Sequence, residues 1–269
     1  MGRHDLTDAE WDAIRKLLPK KRAGKPGRPW CCHRQVINGI LWILAAGAPW
    51  RDLPKSYGNW STVYKRFCRW RKSGLWDQMF ASLLRRVDRS CGIDDSLWCV
   101  DGSIIRAHRC AGGSRSQEAK EPEDHALGRS QGGFSTKVHL LTSGCGVPLA
   151  FVLTPGQTHE STVFENLLAE VPFAKRRTPT ALAGDKAYSS NRIREHIANK
   201  KIKDVIPTRK NEKRNYRFSK KTYKRRNIVE RVFGWLKEKR RIATRYEKQA
   251  LNYLAFLKIA AIRLLPEWI

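Results

Sequence analysis

The sequence predicts a mixed α/β protein whose N-terminal region is entirely helical. Three observations carry this. Apolar residues recur at helical spacing through the first ninety residues, short strand-like apolar runs take over from about residue 95, and strands then alternate with helices toward the C-terminus. At 269 residues the chain exceeds the ~150-residue norm of one domain, so the expectation is a large domain with a smaller helper or one elaborated domain, and the change of pattern sets the division at a helical domain (1–92) and a sheet-based domain (93–269). With 41% hydrophobic residues and ten tryptophans, it has ample material for a packed core.

In the first region Thr7 and Glu10 form a capping box, and Trp11, Ile14, Leu17 and Leu18 make one apolar stripe that ends at Pro19. A second helix, 34–46, stops at Gly47. A third runs from about Trp60 to Lys72. Val63, Phe67 and Trp70 fall on one side of it, and Thr62, Lys65, Arg66, Arg69 and Lys72 on the other. A fourth, about Leu75–Arg89, buries Trp76, Met79, Leu83 and Val87. The pattern suits a helix-turn-helix-like DNA-binding module with 60–72 as recognition helix and Lys65, Arg66 and Arg69 turned to DNA. It suits equally a small helical bundle with a solvated basic face.

In the second region SLWCV (96–100) is a short buried strand. Residues 135–154 form two extended runs joined by a turn at 143–146, a hairpin pattern. TALAG (180–184) is a further strand, 191–200 a helix, KDVIP (203–207) a strand, and a long helix begins near 224. Residues 110–133, rich in Gly, Ser and charge, read as a functional or mobile loop.

Net charge is +28. Residues 1–90 carry 19 basic and 7 acidic side chains, 91–199 carry 12 of each, and 200–250 carry 20 and 5. A neutral centre between two basic flanks suits a catalytic or structural core gripped to a polyanion, foremost nucleic acid. The N-terminus has no apolar signal region, and the longest apolar run, 36–50, falls short of the ~20 residues that span a bilayer. The expectation is a soluble cytoplasmic protein with no membrane partner. Seven cysteines without a C-x-x-C pair suit a reducing compartment, and Cys31, Cys32 and His33 lack a second ligand pair for zinc.

Three acids stand out. Asp101 ends the apolar run SLWCV, and Asp185 repeats the arrangement after TALAG. A carboxylate at the end of a buried strand needs a neutralising partner, whether a metal ion or backbone hydrogen bonds. Glu230 lies in the most basic stretch of the chain. On a helical wheel Tyr223, Arg226, Glu230 and Lys237 share an arc of about 60°, with Val229, Val232 and Leu236 opposite. An exposed helix with an ordinary Arg226–Glu230 pair would look the same. Together the three acids make an all-oxygen set suited to Mg²⁺, with Mn²⁺ as substitute, and to two-ion phosphoryl transfer on a nucleic-acid phosphodiester.

These residues resemble the bacterial insertion-sequence DDE transposases, in particular the group whose last acid lies in a Tyr-x₂-Arg-x₃-Glu-x₆-Lys signature, complete here as Tyr223, Arg226, Glu230 and Lys237. VDGSIIRAHR around Asp101, AGDKAYSS around Asp185, GRSQGGFSTKVHL (128–140) and TPGQTHES (154–161) resemble other segments of that family. The resemblance implies a ribonuclease-H-like core bearing the triad and a helical N-terminal region that recognises terminal inverted repeats in double-stranded DNA. It also implies a homodimer on paired ends, associated with the nucleoid when bound. In that picture Asp101, Asp185 and Glu230 bind the metals, Arg226 and Lys237 hold phosphates, Tyr223 supports the same DNA end, and His159 lies near the site. A ribonuclease-H-like nuclease without strand transfer and a non-catalytic DNA-binding regulator are the alternatives.

Overall fold

The computed structural model describes residues 2–20, 31–114, 118–173, 177–212 and 218–265. The helical layer comprises α1 (Asp8–Arg15), α2 (His33–Ala46), α3 (Trp60–Lys72) and α4 (Leu75–Ser90). Each boundary has a local cause. Thr7 and Glu10 close the capping box on α1, Gly47 ends α2 at φ 68°, and the Asn59 side chain caps α3 through the Ser61 amide.

The sheet begins with β1 (Trp98–Ala107), β2 (Gly128–Ser130), β3 (Gly133–Ser143) and β4 (Pro148–Pro155). After α5 (Phe164–Ala169) follow β5 (Ala181–Ala183), α6 (Asn191–Asn199) and β6 (Lys203–Val205). β4, β3 and β1 form an antiparallel meander, and β5 and β6 then add parallel to β1 on its other side. The result is a mixed sheet of the ribonuclease-H-like kind that the resemblance implies. β2 is a short addition to β3 within the region expected as a loop.

The expected long helix near residue 224 is two helices, α7 (Lys220–Lys224) and α8 (Asn227–Lys237). Between them the Arg226 amide bonds Tyr223 O at 2.9 Å and the Val229 amide bonds Arg226 O at 3.0 Å, a tightened turn of the 3-10 type. The chain ends through α9 (Arg240–Ala243), β7 (Thr244–Arg245) beside β1, and α10 (Ala250–Leu264). No helix among the described residues is long and apolar enough to cross a membrane.

α10 joins the two halves. Phe256 on it stacks on Phe67 of α3 at 4.7 Å, and Phe80 of α4 meets Phe151 of β4 at 6.1 Å. One hydrophobic cluster therefore runs from Leu6 to Leu265 through the helical layer and the sheet. A buried ion pair, Arg241 Nε to Glu247 Oε1 at 2.5 Å, lies inside it, with the Arg241 guanidinium also bonded to Ala48 O at 2.6 Å. Arg71 of α3 donates to Asn252 Oδ1 at 2.9 Å and to Glu118 at 3.0 Å, tying α3 to α10 and to the segment after β1. Arg245, fully buried, donates to the carbonyls of His125 at 2.8 Å and Ala126 at 3.1 Å and so pins that segment against β3.

Candidate active site

β1 carries the first acid. Asp101 does not terminate the strand, as its apolar run suggests, because β1 continues through the mixed sequence 102–107 paired with β3. Instead Asp101 sits where the parallel neighbour stops. The β1–β5 register ends at Cys99 opposite Ala183, so Asp101 and Asp185 each follow the last paired position by two residues. With parallel strands ~4.8 Å apart, both carboxylates emerge at one edge. Asp185 caps the 3-10 turn 186–188 through the Ala187 amide at 2.9 Å, which fixes its backbone at that edge.

Glu230 lies in the first turn of α8. Val229, Val232, Phe233 and Leu236 are buried against the sheet, which leaves Arg226, Glu230 and Lys237 at the margin. Arg226 then joins the acids: its guanidinium is 3.6 Å from Asp101 Oδ2 and forms an ion pair with Glu230. Lys237 Nζ donates to Ser103 Oγ at 2.7 Å, on the same β1 face as Asp101. The Tyr223 ring lies 5.7 Å below the Arg226 guanidinium. The signature Tyr223, Arg226, Glu230 and Lys237 thus faces the Asp101 strand as a unit.

Burial pushes the Asp101 carboxyl up to about 6; Arg226 and the Gly102 amide pull it down, while Asp185 and Glu230 raise it further. The other two acids therefore lie near enough to act on Asp101. Asp101 and Glu230 flank the Arg226 guanidinium rather than a point, and among the described residues no three of His, Cys, Asp and Glu close on one metal position. Arg226 supplies the cation that crowded carboxylates require, and one of its buried nitrogens makes no hydrogen bond among the described residues. An all-oxygen donor set whose buried member is only partly neutralised fits a hard divalent ion.

Sequence reading missed the groups on the opposite face of the sheet. Gly102 faces Glu160, whose Cγ would stand 3.0 Å from a Cβ there, and Glu160 pairs with Lys137 at 2.8 Å. His139, on the same face, is fully buried, bonds Thr154 Oγ1 at 2.9 Å, and is held down to about 4 by burial and Lys137. Tyr188 is fully buried beneath the acids. The segments 128–140 and 154–161 contain most of these residues, but nothing in their spacing marks a role. His159 sits at the rim, bonded to Ser161 Oγ at 2.8 Å and 3.4 Å from an Arg209 nitrogen.

Of the three α3 cations expected to face DNA, Lys65 and Arg69 are exposed and Arg66 is not. Arg66 is 7% exposed, bonds His33 Nδ1 at 3.0 Å and lies over the Trp70 ring at 5.4 Å. Its long side chain reaches back into the packed side of the helix, which corrects its expected place on the basic face.

A family model described as "Transposase DDE domain" matches residues 93–265, and one described as "Putative transposase of IS4/5 family" matches 6–80. The chain belongs to the DDE transposase family. This transposase is therefore an enzyme of DNA transposition that cleaves DNA with divalent metal ions, and it binds DNA. It is 37% identical over 112 residues to the "Insertion element IS402 uncharacterized 16.2 kDa protein" of Burkholderia cepacia, covering 40% of this chain and 76% of that one. It is 30% identical over 130 residues to the "Putative transposase for insertion sequence element IS402" of the same organism, covering 46% and 59%. The likeness to the protein in the crystal structure of the Mos1 strand transfer complex is loose, with a TM-score of 0.33 and 11% identity over 93% of this chain and 79% of that one.

Proposed function

We propose that the transposase binds terminal inverted repeats through the helical domain (1–92) and cleaves the phosphodiester bonds at the element's ends in the domain 93–269. The freed 3′-hydroxyl then joins target DNA at the same acids. Asp101, Asp185 and Glu230 would hold Mg²⁺, with Mn²⁺ as substitute. When bound, the ions activate the attacking oxygen and stabilise the leaving one. The observation that carries the reading is the strand register that sets Asp101 beside Asp185, with Arg226 linking Asp101 to Glu230.

The chain's own residues do the positioning. Arg226 and Lys237 bind non-bridging phosphate oxygens, where charge-assisted donors also favour the charge of the transition state. Tyr223 stiffens Arg226 through its ring. Glu230, half exposed, is free to turn from Arg226 once that guanidinium engages phosphate. Lys65 and Arg69 on α3 contact backbone phosphates of the end. Two copies act on paired ends as a homodimer, on nucleoid DNA in the cytoplasm. The test is an end-cleavage assay on a flanked terminal-repeat duplex with Asp101→Asn, Asp185→Asn and Glu230→Gln. Loss of cleavage with DNA binding retained supports the assignment, and cleavage by any of the three variants overturns it.

A further inference from the structure

The acids have a second rim, on the side away from α8. It is built from the turns that follow β4, β5 and β6 and from the start of α6, where His159, Lys186, Arg192 and Arg209 gather. Arg209 Nε donates to Lys186 O at 3.2 Å, and another of its nitrogens lies 3.4 Å from His159 Nε2. The Arg209 amide bonds Glu212 Oε2 at 3.2 Å, and Glu212 also accepts from Ser189. Arg192 bonds Glu165 at 2.8 Å and the Ser161 carbonyl. The loop after β6 is thereby clasped to the turn that begins at Asp185. Lys186 is the residue after that acid and is exposed, as are His159, Arg192 and Arg209. Glu165 pairs with Arg192, and Glu212 with Arg194 and Arg209, so the rim's three cations Lys186, Arg192 and Arg209 exceed these two acids by one.

We propose that this rim, centred on Arg209 with Lys186 and Arg192, binds the phosphate backbone of the target DNA during strand transfer. The inference rests on the assignment of Asp101 and Asp185 to the reacting centre. In-line displacement at phosphorus brings the entering and leaving oxygens to opposite sides of the reacting atom. Arg226 and Lys237 occupy the α8 side, where the transposon end is held, so the duplex that is attacked approaches from the other. The rim's cations lie in turns and in the first turn of α6, and their donors suit phosphates rather than base edges. Contacts of that kind bind DNA irrespective of sequence, which suits a target and cannot select a terminal repeat.

The experiment uses the full chain with a pre-cleaved terminal-repeat duplex and plasmid target, in parallel with end cleavage of a flanked duplex. Arg209→Gln and Arg192→Gln are expected to raise the target concentration giving half-maximal strand transfer by ~5-fold or more each, with end cleavage changed less than ~2-fold. Because Arg209 also bonds backbone, Lys186→Gln, an exposed side chain, serves as the second variant and gives the same separation. Equal loss of both reactions, or no loss of strand transfer, overturns the proposal. Asp185→Asn measured alongside keeps the two readings distinct: if that variant still cleaves ends, the acid assignment fails whatever the rim variants do.

Discussion

The Arg226 guanidinium lies 3.6 Å from the Asp101 carboxylate and forms an ion pair with Glu230, so one cation links two acids that are 129 residues apart. Both partners are largely withdrawn from solvent, with Arg226 14% and Asp101 19% exposed. Removing that cation leaves a partly buried carboxylate uncompensated. Arg226→Gln is expected to lower stability in EDTA by about 1–3 kcal/mol. Added Mn²⁺ should restore more of the melting temperature in this variant than in the wild type, as read by thermal melts; equal gains would separate Arg226 from the cation site.

The carboxamide variants Asp101→Asn, Asp185→Asn and Glu230→Gln are expected to reduce end cleavage by ~10³-fold or more, the loss of several kcal/mol of transition-state stabilisation. Affinity for the terminal repeat in EDTA should change little, because α3 and the basic flanks are intact. Gel-shift and cleavage measured on the same preparations check both halves.

Buried His139 makes stability fall in acid. Its folded-state value is about 4 against 6.5 when unfolded, so the unfolded chain binds the proton first. The contribution is complete above pH 6.5 and is lost as pH falls from there to about 4, by up to about 3 kcal/mol. Denaturant melts across that window should steepen accordingly, and His139→Gln should flatten the pH dependence.

DNA affinity should fall steeply with salt, because each phosphate contact releases counterions. Lys65→Gln, Arg69→Gln and Lys237→Gln should each lower the slope of log affinity against log salt by about one. Arg66→Gln should leave the slope unchanged and reduce stability instead, since that guanidinium is turned inward. A slope change for Arg66 would contradict its buried placement.

Glu247→Gln removes the counter-charge of Arg241, with the pair 4% and 6% exposed respectively. A loss of ~3–5 kcal/mol is expected. Because Arg241 also holds Ala48 in the helical layer, unfolding should remain a single transition that includes both halves. Two separate transitions in calorimetry would argue against a shared core.

Much of this architecture is written locally. The capping box at Thr7, Gly47 after α2 and the hairpin around Ser143 to Gly146 each follow from short-range backbone chemistry, and all stand where the sequence puts them. Asp101 and Asp185 drew notice because acids adjoining apolar runs need a neutralising partner, whereas Glu230 stood out only through the resemblance of the Tyr223, Arg226, Glu230 and Lys237 signature. What escaped was non-local. α10 is apolar nearly all round, so it shows no periodicity, yet it fills the space between α3, α4 and β4. Arg66 has the wheel position of a solvated cation, and only the packing of His33 and Trp70 around it turns it inward. The mixed strand sequence after Asp101 hid the continuation of β1, which exists because β3 pairs with it to Arg106. Likewise the Glu160–Lys137 pair could be found only once Gly102 was seen to leave room for it.

The bonds from Arg71 to Asn252, Gln249 and Glu118 run from α3 into the body of the molecule without an intervening linker. Under the proposed seating of DNA on α3, the duplex would consequently be gauged against Asp101 as by a fixed ruler. Inserting one base pair between the recognised sequence and the scissile bond displaces the phosphate by about 3.4 Å and turns it about the helix axis, a mismatch that such a frame has no joint to absorb.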